Sequence, residues 1–235
     1  MQLAHGEAYA ARMPTRRSPL RPRRLVAVAA ALLLVVALAV PAGAVTKVTG
    51  TPLQLLARLS TAAEHYWGYD RAKFEHWIDA DGDGCDTRDE VLIKESTRAV
   101  TIGSGCAIHG GKWYSAYDGV WTTDPSTFDI DHLVALKEAW DSGAWSWTAA
   151  RRRAYANDLG AGASLRAVSA ASNRSKSDKD PADWLPAKVS FRCTYANQWV
   201  ATKVRWGLKV DSRERSALKS LLASCPAPVM TVNVP

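Results

Sequence analysis

The sequence predicts an α+β fold in which a strand–strand–helix core is elaborated with further helices and stapled by two disulfides. Three observations carry this prediction. Apolar and polar residues alternate at period two from Phe128 to His132, as in a half-buried strand. A second strand candidate, residues 164–169, precedes a polar helical run that starts after Ser172 and that Pro181 ends. Four cysteines follow an export leader, which favours disulfides.

Residues 1–44 are expected to be a signal peptide rather than part of the fold. Basic residues such as Arg23 and Arg24 precede an apolar run over residues 25–40, and small residues at 42–44 form a cleavage site. This run is shorter than the about 20 residues that a membrane-spanning helix needs. An uncleaved anchor is the alternative, and Met13 is an alternative start. We therefore expect a secreted, extracellular protein with no stable membrane partner.

The charge of the chain changes once the leader is set aside. The whole sequence has a formal net charge of +7, but residues 45–235 hold 24 basic and 22 acidic residues. Residues 45–145 have 9 basic and 16 acidic residues, whereas residues 146–235 have 15 and 6. An acidic half and a basic half fit a protein that binds a metal ion on one side and a polyanion on the other. Ordinary surface charge is the alternative.

The cysteines at 85, 106, 193 and 225 predict two disulfides in an exported chain. Three pairings are possible, and we favour Cys85–Cys106 and Cys193–Cys225. Each bond would close a loop of a few tens of residues and stabilise the fold by roughly 3–4 kcal/mol. A zinc site is the rival interpretation, but the sequence has no Cys-x-x-Cys pair to support it.

The spacing of apolar and turn residues places the other elements. We expect helices over 52–66, 133–140, 148–159, 194–206 and 212–223, a short helix or turn over 71–78, and short strands over 100–102 and 113–121. Residues 45–51 are expected to be a polar or tethering segment. The elements divide the chain into an N-terminal helical and strand subdomain, residues 45–125, and a second part, residues 126–235, with the core and the C-terminal helices.

The predicted core brings an acidic residue, a histidine and an asparagine to one point. Asp131 and His132 end the first strand, and Asn173 lies in the helical run. Carboxylate and amide oxygens suit a hard cation such as Mg²⁺ or Mn²⁺. An imidazole with a pKa near ~6.5 is a usable base at neutral pH. The alternative is a surface Asp-His pair and an asparagine that caps a helix.

These residues carry a resemblance to a known family. The pattern Asp-Ile-Asp-His-Leu-Val at 129–134, a strand, and Asn-Arg-Ser-Lys-Ser-Asp at 173–178 resemble the motif of HNH (ββα-metal, His-Me finger) endonucleases, closest to the secreted family of the DUF1524 type. Residues 178–186 and 193–203 extend the resemblance, which covers roughly the last two thirds of the chain. It implies that the core is a ββα-metal core.

The resemblance also implies roles for single residues. His132 would be the general base, and Asp131 and Asn173 would be catalytic residues that hold the metal ion. Arg174 and Lys176 match positions near the phosphate in the wider family, so they are the candidate phosphate-binding residues.

One position departs from the family pattern. The asparagine that holds the loop around the base would fall near Ser164, and a serine has fewer hydrogen-bond donors. Asn157 is the alternative for this orienting role. Asp129 is a candidate for supporting either the metal ion or His132.

The loop Asp79–Glu90 is a second candidate metal site because it matches the calcium loop of an EF-hand, with Asp at positions 1, 3 and 5, Gly at 6 and Glu at 12. Its expected Ca²⁺ ligands are Asp79, Asp81, Asp83 and Glu90. Cys85 and Asp86 depart from the template, so an acidic turn pinned by a disulfide is the alternative. Arg88, in the same loop, is a further candidate for contacting the scissile phosphate.

These features predict a secreted, metal-dependent endonuclease that hydrolyses phosphodiester bonds of DNA, with RNA as a further candidate substrate. We expect a monomer with little sequence specificity, because no helix-turn-helix or zinc-finger pattern supplies base recognition. Two alternatives are a calcium-dependent extracellular binding protein with a relict HNH site and a secreted hydrolase of another phosphoester.

Overall fold

The structure, a computed structural model that describes residues 45–235, is of the predicted α+β class. Its strands are β1 (Thr46–Gly50), β2 (Val100–Ile102), β3 (Ile108–Gly110), β4 (Trp113–Tyr114), β5 (Trp121–Thr122), β6 (Phe128–His132), β7 (Leu165–Ser169) and β8 (Met230–Val234). Its α-helices are α1 (Pro52–Arg58), α2 (Thr87–Glu95), α3 (Leu136–Asp141), α4 (Ala149–Ala156), α5 (Ala170–Lys176), α6 (Arg192–Trp206) and α7 (Ser212–Ala223). The predicted leader and the start at Met13 lie outside the described residues.

The strand–strand–helix unit that the sequence predicts is formed by β6, β7 and α5. β6 and β7 are antiparallel, and His132 pairs with Leu165 in their register. α5 follows β7 directly because the side chain of Ser169 accepts a hydrogen bond from the backbone of Ser172 and caps the helix. The helix therefore begins at Ala170, before the predicted start. It ends before Pro181, since Ser177 has a φ of 54°.

Alternation along β6 and β7 buries one side of the strand pair in a small apolar cluster. This cluster joins α2 to the strands through Val91, Leu92, Trp113, Phe128, Ile130, Leu165 and Ala167. The indole of Trp113 also donates a hydrogen bond to the backbone carbonyl of Leu92, at 2.7 Å. The period-two pattern thus has its expected cause, and the cluster holds the strand that carries Asp131 and His132.

A larger core lies between α1, α3, α6 and α7. Its largest fully buried rings are Trp199 and Tyr195 on α6, together with Tyr117 and Phe74. α7 has the predicted bounds, and α6 begins two residues before the predicted start. Aromatic rings thus fill much of this core, as the tryptophan-rich sequence indicates.

Two segments near the N-terminus differ from their predictions. The predicted tethering segment forms β1, which pairs with β8 in antiparallel register from Thr46–Val234 to Gly50–Met230. The predicted helix over 52–66 ends at Arg58, because the backbone of Ser60 and Ala62 bonds instead with Val210 at 3.0 Å. Only a 3₁₀ turn, Arg71–Lys73, forms within the predicted helix or turn over 71–78.

Both favoured disulfides are present. Cys85 is bonded to Cys106 and Cys193 to Cys225, with Cα–Cα distances of 5.0 and 5.5 Å. The first joins the loop Asp79–Glu90, called the Asp-rich loop below, to the β2–β3 hairpin. The second joins the start of α6 to the chain after α7. Within residues 45–235 no helix is long and apolar enough to cross a membrane.

The larger core contains a buried ionic group made by Lys203, Glu138 and Glu214, all at most 3% exposed. The Lys203 ammonium lies 2.7 Å from a Glu138 oxygen and 2.6 Å from a Glu214 oxygen. Burial, with the Glu138 charge beside it, raises the pKa of Glu214 to about 7, although Lys203 opposes the shift. The pKa of Lys203 is raised by the two carboxylates against the effect of burial. Lys203 therefore stays charged, and Glu214 takes up a proton below neutral pH.

We expect this group to make the protein more stable at pH 5 than at pH 8. Between the ordinary glutamate pKa of 4.5 and about 7, the folded state binds more protons than the unfolded state, so stability falls as pH rises. This contribution to the free energy of unfolding is largest below pH 4.5 and is lost as the pH rises through about 7. Because burial lowers the pKa of His132 and gives an opposite pH dependence, the difference between the unsubstituted protein and Glu214→Gln in urea unfolding at both pH values measures it. Glu214→Gln should remove the pH-dependent component, and an unchanged pH dependence in that variant would contradict this assignment.

Candidate active site

A cavity of about 530 Å³ opens where β6 meets α5. It is lined by Tyr69, Arg71, Ile130, Asp131, His132, Ala135, Leu136, Lys137, Asn173, Arg174, Ser177 and Asp178. The structure thus brings together the three residues that the motif singles out. Asp131 and His132 are buried, and Asn173 lies inside α5 rather than at its cap. The alternative of a surface pair and a capping asparagine is therefore wrong.

His132 is held by two aromatic rings and one hydrogen bond. Its ring is stacked on Trp77 at 5.4 Å between centroids and lies parallel to Tyr155 at 6.2 Å. Its Nε2 atom lies 2.9 Å from the backbone carbonyl oxygen of Ala156. A carbonyl only accepts hydrogen bonds, so Nε2 carries the proton and Nδ1 keeps its lone pair. Burial lowers the pKa of His132 to about 3, so the imidazole is neutral at physiological pH.

The loop that orients His132 is fixed by Asn157, the residue after Ala156. Its amide nitrogen donates to the carbonyl oxygens of Glu75 at 2.7 Å and Arg153 at 2.8 Å. Its amide oxygen accepts from the backbone of Ile78 and the hydroxyl of Thr87. Asn157 thereby links Ala156, whose carbonyl binds Nε2 of His132, to the segment that carries Trp77.

Ser164, near which the family's orienting asparagine would fall, has a different place. Its hydroxyl donates to Asp158 at 2.8 Å, and the same carboxylate pairs with Arg205 on α6. Ser164 therefore belongs to a structural cluster. The contacts around His132 favour Asn157 for the orienting role.

Asp131 is bonded through both of its carboxylate oxygens. Oδ2 accepts from the Tyr117 hydroxyl at 2.6 Å, and Oδ1 accepts from the Lys176 ammonium at 2.8 Å. Lys176 is fully buried and also donates to the backbone carbonyl of His132 at 3.0 Å. This differs from the predicted phosphate contact of Lys176, because its ammonium neutralises Asp131 and does not line the cavity.

Asn173 and Asp129 form a second polar pair beside the cavity. The Asn173 amide nitrogen donates to a carboxylate oxygen of Asp129 at 3.0 Å. The amide oxygen of Asn173 is therefore the atom available to a cation. Asp129 orients this side chain, which is compatible with its predicted supporting role.

Three cations line the cavity: Arg71, Lys137 and Arg174. Of the three, only Arg174 belongs to the motif. Its side chain is exposed, so its predicted contact with phosphate stays a prediction that the structure permits. Arg88 lies elsewhere. Its guanidinium donates to the backbone carbonyls of Pro125 and Phe128 at 3.3 and 3.1 Å, where it fixes the start of β6. That position does not support its predicted contact with the scissile phosphate.

Oxygen ligands for a hard cation are present at the cavity, in the second lone pairs of Asp131 and the amide oxygen of Asn173. Two such groups would leave several positions for water, as Mg²⁺ prefers. The fit is partial, because the positive charge of Lys176 offsets the negative charge of Asp131. Among residues 45–235, two sets of three carboxylates lie close enough to share a cation, and neither includes Asp131: Glu64, Asp180 and Asp211, and Asp79, Asp81 and Asp83.

The three aspartates of the Asp-rich loop converge on one point. Their ligand oxygens lie within 4.8 Å of one another, and all three residues are exposed. Burial first, and then the charges of Asp83 and Asp81, raise the pKa of Glu90, the fourth predicted ligand. The loop is also fixed from within, since Asp79 accepts from the backbone of Gly82 and Gly84.

Sequence reasoning did not find Trp77, Tyr117, Arg71 or Lys137, which complete the site. Trp77 has a φ of 60°, a backbone strain that costs about 1–3 kcal/mol and turns its indole over His132. No local pattern marks these residues, because they reach the site from segments 5 to 61 residues from His132. The aromatic content of residues 66–77 is the one signal that points to this segment.

Comparison with known proteins places this site in a nuclease family. The profile of "GmrSD restriction endonucleases, C-terminal domain" matches residues 86–221. An "Uncharacterized secreted protein" of Arthroderma benhamiae is 45% identical over 158 residues, which are 67% of this chain and 76% of that protein. No solved structure matches the chain significantly. Because the profile runs from the start of α2 into α7, over more than half of the sequence, the chain belongs to the family of GmrSD restriction endonuclease C-terminal domains.

Proposed function

We propose that the protein is a secreted, metal-dependent endonuclease of the HNH type that hydrolyses phosphodiester bonds in DNA with little sequence specificity, with RNA as a further candidate substrate. The observation that carries the proposal is the state of His132. Its Nε2–H is anchored to the Ala156 carbonyl, and its neutral ring lines a cavity rimmed by cations. Membership of a restriction endonuclease family supports the same reaction class.

In this mechanism Nδ1 of His132 accepts a proton from the attacking water. The charge of a substrate phosphate beside the ring favours the imidazolium and raises the pKa of His132 from its low value in the free protein. The Ala156 carbonyl accepts from Nε2–H throughout, so it keeps the ring aligned and stabilises the charge that develops.

Asp131 and Asn173 would hold the divalent cation, Mg²⁺ or Mn²⁺. A bound cation would act as a Lewis acid on the phosphoryl oxygens and on the departing oxygen. Arg71, Lys137 and Arg174 would contact backbone phosphates, because all three line the cavity, although Lys137 is also paired with the Asp141 carboxylate. Such contacts make binding dependent on salt and tolerant of sequence.

The decisive test is cleavage of supercoiled plasmid by the oxidised chain lacking residues 1–44. With Mg²⁺ or Mn²⁺ we expect open-circular and then linear products, and EDTA should stop the reaction until metal is added back. Cleavage that continues in EDTA would contradict metal dependence. Failure of the folded protein to cleave with any divalent cation would overturn the proposed function.

Secretion and a monomeric state belong to the same proposal. The two disulfides and the leader sequence support export, as does the relative that is named a secreted protein. Disulfides of this kind persist in oxidising surroundings. Size-exclusion chromatography with light scattering tests the monomer.

A calcium site in the Asp-rich loop stays a prediction, and it is what the alternative function, a calcium-dependent binding protein, requires. Saturating Ca²⁺ should raise Tm by about 5–10 °C, because binding to the folded state alone stabilises it. Asp81→Asn should remove most of this increase, whereas Glu75→Gln, an exposed carboxylate outside the loop, should not. A Tm that ignores Ca²⁺ would favour the acidic turn.

A further inference from the structure

Three large aromatic side chains beside the cavity are exposed to solvent instead of being buried in the core. Trp67 is 72% exposed, Tyr66 58% and Trp145 44%. The half-buried ring of His65 stacks on Trp145 at 4.6 Å between centroids and meets Trp67 edge-on at 6.3 Å. Trp67 in turn meets Tyr66 at 6.3 Å. We call these four side chains the aromatic strip.

The strip continues from the cavity. Lys137, which lines the cavity, has its ammonium 5.5 Å from the centre of the Tyr66 ring and 6.0 Å from that of Tyr69, another cavity residue. The contacts therefore run from Tyr69 and Lys137 to Tyr66, and from Tyr66 through Trp67 and His65 to Trp145. A chain that leaves the cavity past Lys137 meets these rings next.

The backbone under the strip is fixed, although its rings project into solvent. The carbonyl of Trp67 accepts from the indole of Trp140 at 2.9 Å, and the carbonyl of Gly68 accepts from Lys73 at 2.6 Å. The backbone of His65 donates to Asp141 at 3.1 Å. Rings held in place before binding lose little conformational entropy when a partner stacks on them.

We propose that the aromatic strip stacks on unpaired bases of the substrate strand next to the scissile phosphate, so that single-stranded nucleic acid is the preferred substrate. This inference rests on the proposed function. Bases in a duplex are stacked on each other and offer only their edges, whereas every unpaired base offers a face to an aromatic ring. Stacking of this kind tolerates any sequence.

The charges around the strip favour a polyanion over a neutral glycan, which also stacks on aromatic rings. Arg71 and Arg174 line the cavity as cations, and the ammonium of Lys137, which is paired with Asp141, lies 5.5 Å from the centre of the Tyr66 ring. Three of the four residues of the strip, His65, Tyr66 and Trp67, lie before residue 86, outside the stretch that matches the family profile, and Trp145 lies within it.

The test measures binding of a fluorescent oligothymidylate and of a duplex of equal length, in the His132→Ala background so that neither is cut. Trp67→Ala should weaken binding of the single strand about tenfold and of the duplex less than about twofold. Tyr66→Ala, a second exposed substitution, should act in the same direction. Trp121→Ala is the matched control, because that indole is 51% exposed and does not belong to the aromatic strip.

Equal weakening for single strand and duplex, or none for either, would overturn the inference. So would a Trp67→Ala protein that loses binding to insoluble cell-wall glycan but keeps its affinity for the oligothymidylate. Cleavage by the protein with His132 intact distinguishes failure of the proposed function from failure of the role of the aromatic strip. If it cuts neither substrate, the proposed function fails; if it cuts both and Trp67→Ala lowers both rates alike, the aromatic strip alone fails.

Discussion

His132→Ala should lower the rate of plasmid cleavage by about 10²–10⁴-fold, the usual loss when a general base is removed. The substitution takes away Nδ1, the atom that accepts the proton from water, and leaves the cavity cations in place. Initial rates of supercoil loss under saturating Mg²⁺ measure the effect. Thermal unfolding of the same sample shows whether the protein remains folded.

The control for this prediction is His109→Ala. His109 lies on β3, is exposed, and does not line the cavity. It should retain the full rate, which would also exclude a general effect of losing an imidazole. If His132→Ala cleaves as fast as the unsubstituted protein, either the base lies elsewhere or the activity comes from a contaminant.

Asp131→Ala should destabilise the fold strongly as well as impair cleavage. It leaves the fully buried ammonium of Lys176 with the His132 carbonyl as its remaining partner. Removing one member of a buried ion pair costs about 3–5 kcal/mol, which for a chain of this size lowers Tm by roughly 6–20 °C. Scanning calorimetry in EDTA measures the loss without any contribution from a bound cation.

The matched variant is Asp178→Ala. Asp178 lines the same cavity but is exposed, so its loss should change stability by less than about 0.5 kcal/mol. A double variant, Asp131→Leu with Lys176→Met, should regain part of the stability that Asp131→Ala loses, because it leaves no buried charge. An unchanged Tm in Asp131→Ala would mean that Lys176 reaches solvent without cost.

Elements whose cause is local could be predicted closely from the sequence. β6 alternates at period two, and α7 has helical spacing after Asp211, whose carboxylate caps it. α1 was predicted too long because the bonds of Ser60 and Ala62 to Val210 come from a partner about 150 residues away. β1 and β8 were missed for a related reason, since neither strand buries a full face and each depends on the other.

The residues of the candidate site also fall into those that the local sequence predicts and those that depend on the tertiary structure. Asp131, His132 and Asn173 could be placed together because strand, strand and helix follow one another and carry the motif. Whether the Lys176 side chain points into the protein or into solvent could not be predicted. The reason is that α5 is short and has no apolar stripe to show which side faces inward. Pairing with Asp131 makes burial of that lysine possible, and it depends on the tertiary structure.

The pairing of β1 with β8 bears on when the protein can become active. The two strands are separated by 179 intervening residues, so the sheet closes only after nearly the whole described chain has been delivered. A polypeptide that crosses a membrane in extended form therefore completes its fold on the far side, where its cysteines are oxidised as well. Under the proposed function, we expect this order of events to spare the producing cell, since its own chromosome would meet only an incompletely folded chain.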